Sequence, residues 1–177
     1  MTQPPFTGEL VRLRAAEPED APAMHRWMND PDVIDNLGAR YPTSLAIHTE
    51  RARHVELGFA AAPFVVEAIA EGRAIGWVAL RRAAPEDRCA TLGIAIGDKD
   101  FWDGGYGTDT MRTVCRFGFE TMNLHRIELD VYSTNTRAIR VYEKVGFRSE
   151  GCLRQAIFKS DAYRDLILMG LLKGELQ

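Results

Sequence analysis

Gly104, Gly105 and Gly107 stand just ahead of a run in which Met111, Val114, Cys115, Gly118 and Met122 recur at helical spacing. Glycines lack side chains, so a ligand can come close to the backbone there. A helix opening near Thr108 leaves its first N–H groups without intrahelical partners and turns the positive end of its dipole toward that gap. The combination is a cradle for a pyrophosphate and needs no lysine. Such glycine clusters also form ordinary surface turns. A third reading is the dinucleotide fingerprint, with Thr110 standing at the third glycine of Gly105-Tyr106-Gly107 and Asp130 as the downstream acid. That fingerprint needs its glycines directly after a strand, whereas the strand here is expected to end near Ile96, with Gly97 to Trp102 intervening.

Farther along, Asn135-Thr136-Arg137-Ala138 is followed by Tyr142-Glu143-Lys144-Val145-Gly146-Phe147. Asparagine ahead of a helix is commonly its cap, and a tyrosine on an apolar helix face commonly packs. In this order, with the glycine turn first, the two sets resemble the signature of the GNAT acetyltransferases, the acetyl-CoA-dependent N-acyltransferases. Trp102-Asp103-Gly104-Gly105-Tyr106-Gly107-Thr108-Asp109 looks like that family's acyl-CoA pyrophosphate loop. The tryptophan-led loop and the ending Phe158…Tyr163-Arg164-Asp165…Met169-Gly170-Leu171 are most similar to the Rim-type branch, which includes acetylases of ribosomal-protein N-termini and of polyamines. The resemblance runs from about Leu10 to Leu172.

The resemblance implies an α/β (α+β) fold, the GNAT fold: a mixed, mostly antiparallel twisted sheet of about seven strands, splayed between strands 4 and 5, with about four helices. It implies acetyl-CoA as cosubstrate, no metal, and an amine acceptor attacked directly in a ternary complex. Backbone N–H groups around Ile94, Ala95 and Ile96 would hold the pantetheine and polarise the thioester carbonyl. Trp102, Asp103, Gly104, Gly105, Tyr106, Gly107 and Thr108 would form the pyrophosphate site. Asn135 would anchor the CoA arm, and Tyr142 would protonate the departing thiolate. Transfer from a thioester requires a neutral amine, donors for the carbonyl oxygen as it gains charge, and a proton for the sulfur. Many relatives carry a glutamate base on the fourth strand. Thr91 occupies that place here, and threonine is no base near neutral pH. Glu67, Glu128, Asp130 and His125 are unranked alternatives, beside a water path to bulk solvent.

The elements that must position these groups follow from periodicity. Leu10 to Leu13 alternates as a half-buried strand. Glu17-Pro18-Glu19-Asp20 reads as a helix start, with Met24, Trp27 and Met28 as its buried stripe and Asn29-Asp30-Pro31 as its end. Pro31 to Pro42 is less regular. Ser44 caps a second helix through Ile47, Arg51 and Val55 to about Leu57. Phe64–Ala70 and Ala74–Arg81 form a hairpin about Glu71-Gly72-Arg73. In the strand Ala90–Ile96, small residues Thr91, Gly93 and Ala95 share a face that suits a ligand, and Gly93 permits a bulge that frees backbone N–H groups. Arg126–Tyr132 is a strand, and the helix carrying Tyr142 stops at Gly146. Phe147–Leu153 and Tyr163–Leu172 are the last strands, joined by a polar connection.

The length of 177 residues suits one domain over 1–177, with 1–8 as a loose tail. A formal charge of −3 speaks against nucleic acid as a partner, and no apolar run is long enough to enter a membrane. The start has no signal-peptide pattern, and Cys89, Cys115 and Cys152 fit neither a disulfide framework nor a metal site, so the expected compartment is the cytoplasm. A homodimer is an option. The acceptor is expected at Pro31–Pro42 and Phe158–Tyr163, whose charges are mixed, with shape set by Tyr41, Phe158 and Tyr163. A peptide N-terminus or small-molecule amine is therefore favoured over a polyamine. The alternatives are a non-catalytic acyl-CoA-binding or sensing module on the same fold, and a polyamine acetyltransferase.

Overall fold

The computed structural model describes residues 5–54 and 57–177. Its strands are β1 (Val11–Arg14), β2 (Ala61–Ala68), β3 (Arg73–Ala84), β4 (Cys89–Ile96), β5 (Arg126–Tyr132), β6 (Arg148–Lys159) and β7 (Ala162–Leu172). They form one sheet in the order β1-β2-β3-β4-β5-β7-β6. Every neighbouring pair is antiparallel except β4 and β5, which run parallel. The α-helices are α1 (Ala21–Met28), α2 (Pro31–Ile34), α3 (Leu45–Arg53), α4 (Tyr106–Glu120) and α5 (Thr136–Val145).

Side-chain alternation sorts the two faces of the sheet. Val78, Leu80 and Leu92 point into the core with Met111, Val114 and Cys115 of α4. A Cβ at Gly118 would come to 3.0 Å from Leu80 and Ile127, so α4 lies close on the strands. Trp77, Ala79 and Arg81 alternate with those core residues and face the other way, toward α1 and α3. Trp27 of α1 lies directly on Gly97, where a Cβ would fall 2.3 Å from the indole. Only glycine permits that approach, and it seats α1 at the end of β4.

Several expectations shift. Residues 5–8 are docked rather than loose: Gly8 N donates to Val11 O, Leu13 N to Phe6 O, and the Phe6 ring tilts against Phe64 and Phe117. Residues 1–4 lie outside the described residues. The first buried helix turn holds, but Pro31 opens α2, a short extra helix capped by Asp30, so there are five α-helices rather than about four. Ser44 caps α3 as expected, yet the helix ends at Arg53 and its buried residue is His48, with Ile47 exposed. Val55 lies outside the described residues. Strand β6 continues to Lys159 and turns through Ser160 and Asp161, both at positive φ, as a tight two-residue hairpin requires. The polar connection is thus part of the sheet.

At the sheet edge, Arg14 of β1 bonds both Glu67 of β2 and Asp20, which leads into α1. Asp20 also accepts from Glu17 N at 2.9 Å, and Arg12 adds a second partner for Glu67. Burial pushes both carboxyls up, but Arg14 with the Glu17 N–H holds Asp20 below its ordinary value, and Arg14 with Arg12 does the same for Glu67. A depressed carboxyl stabilises the native state fully above its unfolded pKa, and that contribution is lost as pH falls through the native one. Stability should therefore be level above about pH 5 and decline below it. Arg14→Met strands the nearly buried Asp20 and should cost roughly 3 kcal/mol in urea unfolding at neutral pH. Burial then dominates at Asp20, so the acid decline should be shallower in Arg14→Met than in the wild type.

Candidate active site

Strands β4 and β5 pair only at Cys89↔Arg126, Ala90↔Ile127 and Thr91↔Glu128, and then diverge. Gly97 N donates to Ile75 O in the register that sets Gly76 opposite Ile96. By alternation, Gly93 and Ala95 turn their backbone groups to β3, while Leu92, Ile94 and Ile96 turn theirs into the gap. The β3–β4 register is continuous from Gly76↔Ile96 to Arg81↔Thr91, so Gly93 makes no bulge. Divergence of the strands, rather than an irregularity in β4, frees these groups. Ala95 contributes its side chain to the gap wall but not its backbone.

At the end of β4, Asp98 caps a 3-10 turn over Lys99–Phe101, and the chain enters α4. Asp103 at φ 61° and Gly105 at φ 88° bend it back, the second being the N-cap of α4 with no capping side chain. The first helical bond is Asp109 N to Gly105 O, so the N–H groups of Tyr106, Gly107 and Thr108 have no partner within the helix. Asp109, an acid in this first turn, is spent elsewhere: its carboxylate accepts from the backbone N–H groups of Glu9, Leu10 and Val11. A Cβ built at Gly107 meets only Ile96 Cγ1, at 4.0 Å. That open space and the free N–H groups fit a pyrophosphate.

The loop side chains divide the work. Trp102 Nε1 donates to Ile96 O at 2.7 Å, so the indole is an anchor and its N–H is not available to a phosphate. Arg137 of α5 stacks on the Trp102 ring at 4.0 Å, which brings a guanidinium over the loop. Sequence reading quoted Arg137 within a motif but missed this placement, which arises from contact between α5 and the loop. Of the loop residues, Trp102, Asp103, Gly105, Gly107 and Thr108 line the gap. Gly104 and Tyr106 do not; the Tyr106 ring sits edge-on against Phe101 at 4.9 Å.

Asn135 caps α5, its Oδ1 accepting from Ala138 N at 3.2 Å, which leaves the amide Nδ2 free toward the gap it lines. Tyr142 is 9% exposed, lines the same gap, and its hydroxyl has no hydrogen-bond partner among the described residues. Burial, then the charge of Asp130, pushes its pKa up to about 12, so it keeps its proton at neutral pH.

These groups face one cavity of about 1200 Å³ that passes through the splay to α1 and α3. The far wall includes Met24, Met28, His48, Trp77, Arg51, Arg81, Arg82 and Thr91. Tyr41, Phe158 and Tyr163 are 81%, 48% and 64% exposed and do not line it, so the shape of the acceptor side comes from other residues. The Pro31–Pro42 segment does line it, from Asp32 to Ala39, and it also bridges the splay. Lys159 Nζ donates to the carbonyls of Ile34, Leu37 and Ala39, Arg164 bonds Asp35, and Tyr132 donates to Leu37 O.

Among the four unranked acids and bases, Asp130 alone lines the cavity. Glu67 is held by Arg12 and Arg14, Glu128 by Arg126, and His125 is exposed at the start of β5. His48 was missed because a lone histidine in a polar helix carries no signal. It is 8% exposed, with Nε2 2.7 Å from Thr43 Oγ1 and its ring edge-on to His25. Burial, then Arg51 and His25, lowers its pKa, so it stands neutral, with Nε2 shared with Thr43. Among the described residues no group of three or more His, Cys, Asp or Glu could hold a metal ion, and no helix is long and apolar enough to cross a membrane.

A thioester arm laid against a splayed strand edge, with its phosphates on a helix N-terminus, is the mode of an acyl-CoA-dependent acyltransferase. Residues 11–148 match the model of the acetyltransferase (GNAT) domain, and the chain belongs to that family. It is 29% identical over 170 residues to the spermidine N(1)-acetyltransferase of Escherichia coli K12, covering 90% of this chain and 84% of the other. It is 29% identical over 181 aligned positions to a putative ribosomal N-acetyltransferase of Bacillus subtilis, covering 94% and 93%. The crystal structure of a spermidine N-acetyltransferase from Vibrio cholerae in complex with CoA and spermine matches with a TM-score of 0.85 at 27% identity, covering 94% and 97%. The cosubstrate is acetyl-CoA and the reaction is acetyl transfer to an amine. Membership of that family removes the dinucleotide-fingerprint reading of the glycine turn.

Gly107→Glu should test the cradle. An acid in the first turn suits a helix N-terminus, so thermal unfolding should stay near the wild-type temperature. The side chain would fill the phosphate space, and calorimetry should find CoA affinity weakened on the order of 100-fold, about 2.8 kcal/mol.

Proposed function

We propose that the chain acetylates a primary amine by direct attack within a ternary complex, working as a single catalytic domain in the cytoplasm. The observation that carries this reading is the single cavity shared by the α4 cradle, the free edge of β4, Tyr142 and the wall formed by α1 and α3. Acetyl-CoA supplies an already activated thioester. The N–H groups of Gly107 and Thr108, with Arg137 above them, hold its pyrophosphate. Asn135 Nδ2 steadies the arm while Oδ1 caps α5. The edge groups of Leu92, Ile94 and Ile96 continue the line toward the splay, and an edge N–H there donates to the carbonyl oxygen as it gains charge.

The amine enters from the α1–α3 side and must be neutral to attack. His48, uncharged on that wall, accepts the proton the amine loses. The C–N bond forms as the C–S bond breaks, and the thiolate takes its proton from the Tyr142 hydroxyl. Its raised pKa keeps the Tyr142 hydroxyl protonated at neutral pH, so a donor stands beside the sulfur as negative charge develops there. Proximity supplies much of the remaining acceleration. The free thiols Cys89, Cys115 and Cys152 agree with a reducing compartment.

Thiol release followed over a panel of peptide N-termini, amino acids, aminoglycosides and spermidine tests the reading. Turnover of at least one primary amine is expected. CoA binding without turnover of any of them would mark a non-catalytic acyl-CoA module instead. Tyr142→Phe keeps the packed ring and removes only the donor. It should lower kcat on the order of 100-fold while KM for acetyl-CoA stays within about twofold. An unchanged kcat with chemistry rate-limiting would make Tyr142 a packing residue.

A further inference from the structure

We propose that the acceptor amine carries a carboxylate, which Arg81, Arg82 and Arg51 bind at the end of the cleft remote from the pyrophosphate cradle. The proposal rests on the acetyltransferase reading and names its acceptor class. All three arginines line the cavity, and none forms an ion pair among the described residues. Consecutive strand residues ordinarily point to opposite faces. Arg82 lies at φ 52°, and the β3–β4 register breaks between Arg81 and Ala84. Arg81 faces the cavity by ordinary alternation, and this irregularity lets its neighbour Arg82 line the same cavity, which is the use bulges have beside binding sites. Arg81 lies over Gly93 and above the Trp77 ring at 5.8 Å, so its position is constrained before any ligand arrives.

These charges are too far along β4 to serve the CoA phosphates. Arg81 faces Thr91, five residues before Ile96, and a strand of that length spans about 16 Å. The cations nearer the cradle are Arg137, Arg140 and Lys144 on α5. Asp130, which also lines the cavity, lies on β5 across the splay beside Tyr142, and the acids nearer α1 and α2 are already paired. Asp20 is occupied by Arg14 and Glu17 N, and Asp32 by Lys99. A polycation would meet several uncompensated positive charges there, whereas a carboxylate would find planar donors of matching geometry. The same field favours the neutral form of a nearby amine, because a like charge disfavours an ammonium. Such a site has less need of the strand glutamate that Thr91 replaces.

The test compares matched pairs at fixed acetyl-CoA: a free α-amino acid against its α-amide, and a peptide beginning with aspartate against one beginning with asparagine. Spermidine is the third arm. Wild-type kcat/KM should favour the carboxylate form by about tenfold or more in one pair, and that pair identifies the source of the carboxylate. In Arg81→Gln/Arg82→Asn the preference should fall to within about twofold while KM for acetyl-CoA is unchanged; asparagine tolerates the positive φ. Arg51→Gln, on an exposed helix position, should reduce the preference without burden on the fold. Equal use of acid and amide, highest kcat/KM for spermidine, or a preference unaltered in both variants overturns the proposal. If no amine releases thiol, the transferase reading fails. Calorimetry of the CoA-loaded protein with each acid and its amide then decides carboxylate recognition alone, and equal affinities overturn it.

Discussion

The short ladder between β4 and β5 is the constraint from which the site follows. A parallel pair that continued past Thr91 and Glu128 would have consumed the edge groups of Leu92, Ile94 and Ile96. Because the strands separate, those groups face a cavity, and buried backbone groups must find partners. Trp102 satisfies the Ile96 carbonyl from within the protein, and the others open on the cavity. The sheet stays intact on both sides of the gap: β1 to β4 form one antiparallel wing and β5, β7 and β6 the other. The opening is therefore held by two rigid halves rather than by a mobile loop.

Bridges across the gap preserve its width. α4 lies against β3, β4 and β5 on one face, with Gly118 allowing close approach. On the other side, the α2 segment is tied to the β6–β7 hairpin: Lys159 and Arg164 donate to its carbonyls, and Arg40 that follows it donates to Phe158 O of β6. Burial lowers the Lys159 pKa, against the attraction of Asp35. The ammonium remains well supplied with acceptors, since three carbonyls surround it. Asp109 performs the matching service at the N-terminal edge, where one carboxylate gathers three backbone donors of the chain entering β1.

Charge is distributed by location rather than by total. The chain is formally −3, yet its cavity is lined by cations from both sides, Arg137, Arg140 and Lys144 on α5 and Arg51, Arg81 and Arg82 on α3 and β3. Many of the acids that outweigh them are committed to structural pairs: Asp20 and Glu67 to Arg14, Asp30 and Asp32 to Lys99, Glu150 to Arg126. A net negative protein can thus present a positive interior, because paired carboxylates contribute little field at a distance.

Local signals made much of this legible in the sequence. The glycine turn, the Asn135 cap, the apolar stripe ending at Gly146 and the strand Arg126–Tyr132 depend on short-range chemistry, and the structure places each where its residues call for it. Periodicity likewise located the α4 core residues. What sequence could not supply was any feature created by contact between distant segments. Arg137 over Trp102, Lys159 among carbonyls of α2, and His48 beside His25 are pairings of residues whose spacing carries no code. Arg82 joins Arg81 along the cavity only through a positive φ and a register break that the sequence does not announce. The residue types and turns that shape the glycine cradle at the start of α4 were determined by the sequence itself, since they act within a few positions. Tertiary structure decided which edge of β4 lies open and which charges face the acceptor, because both depend on how strands far apart in the chain diverge and pack.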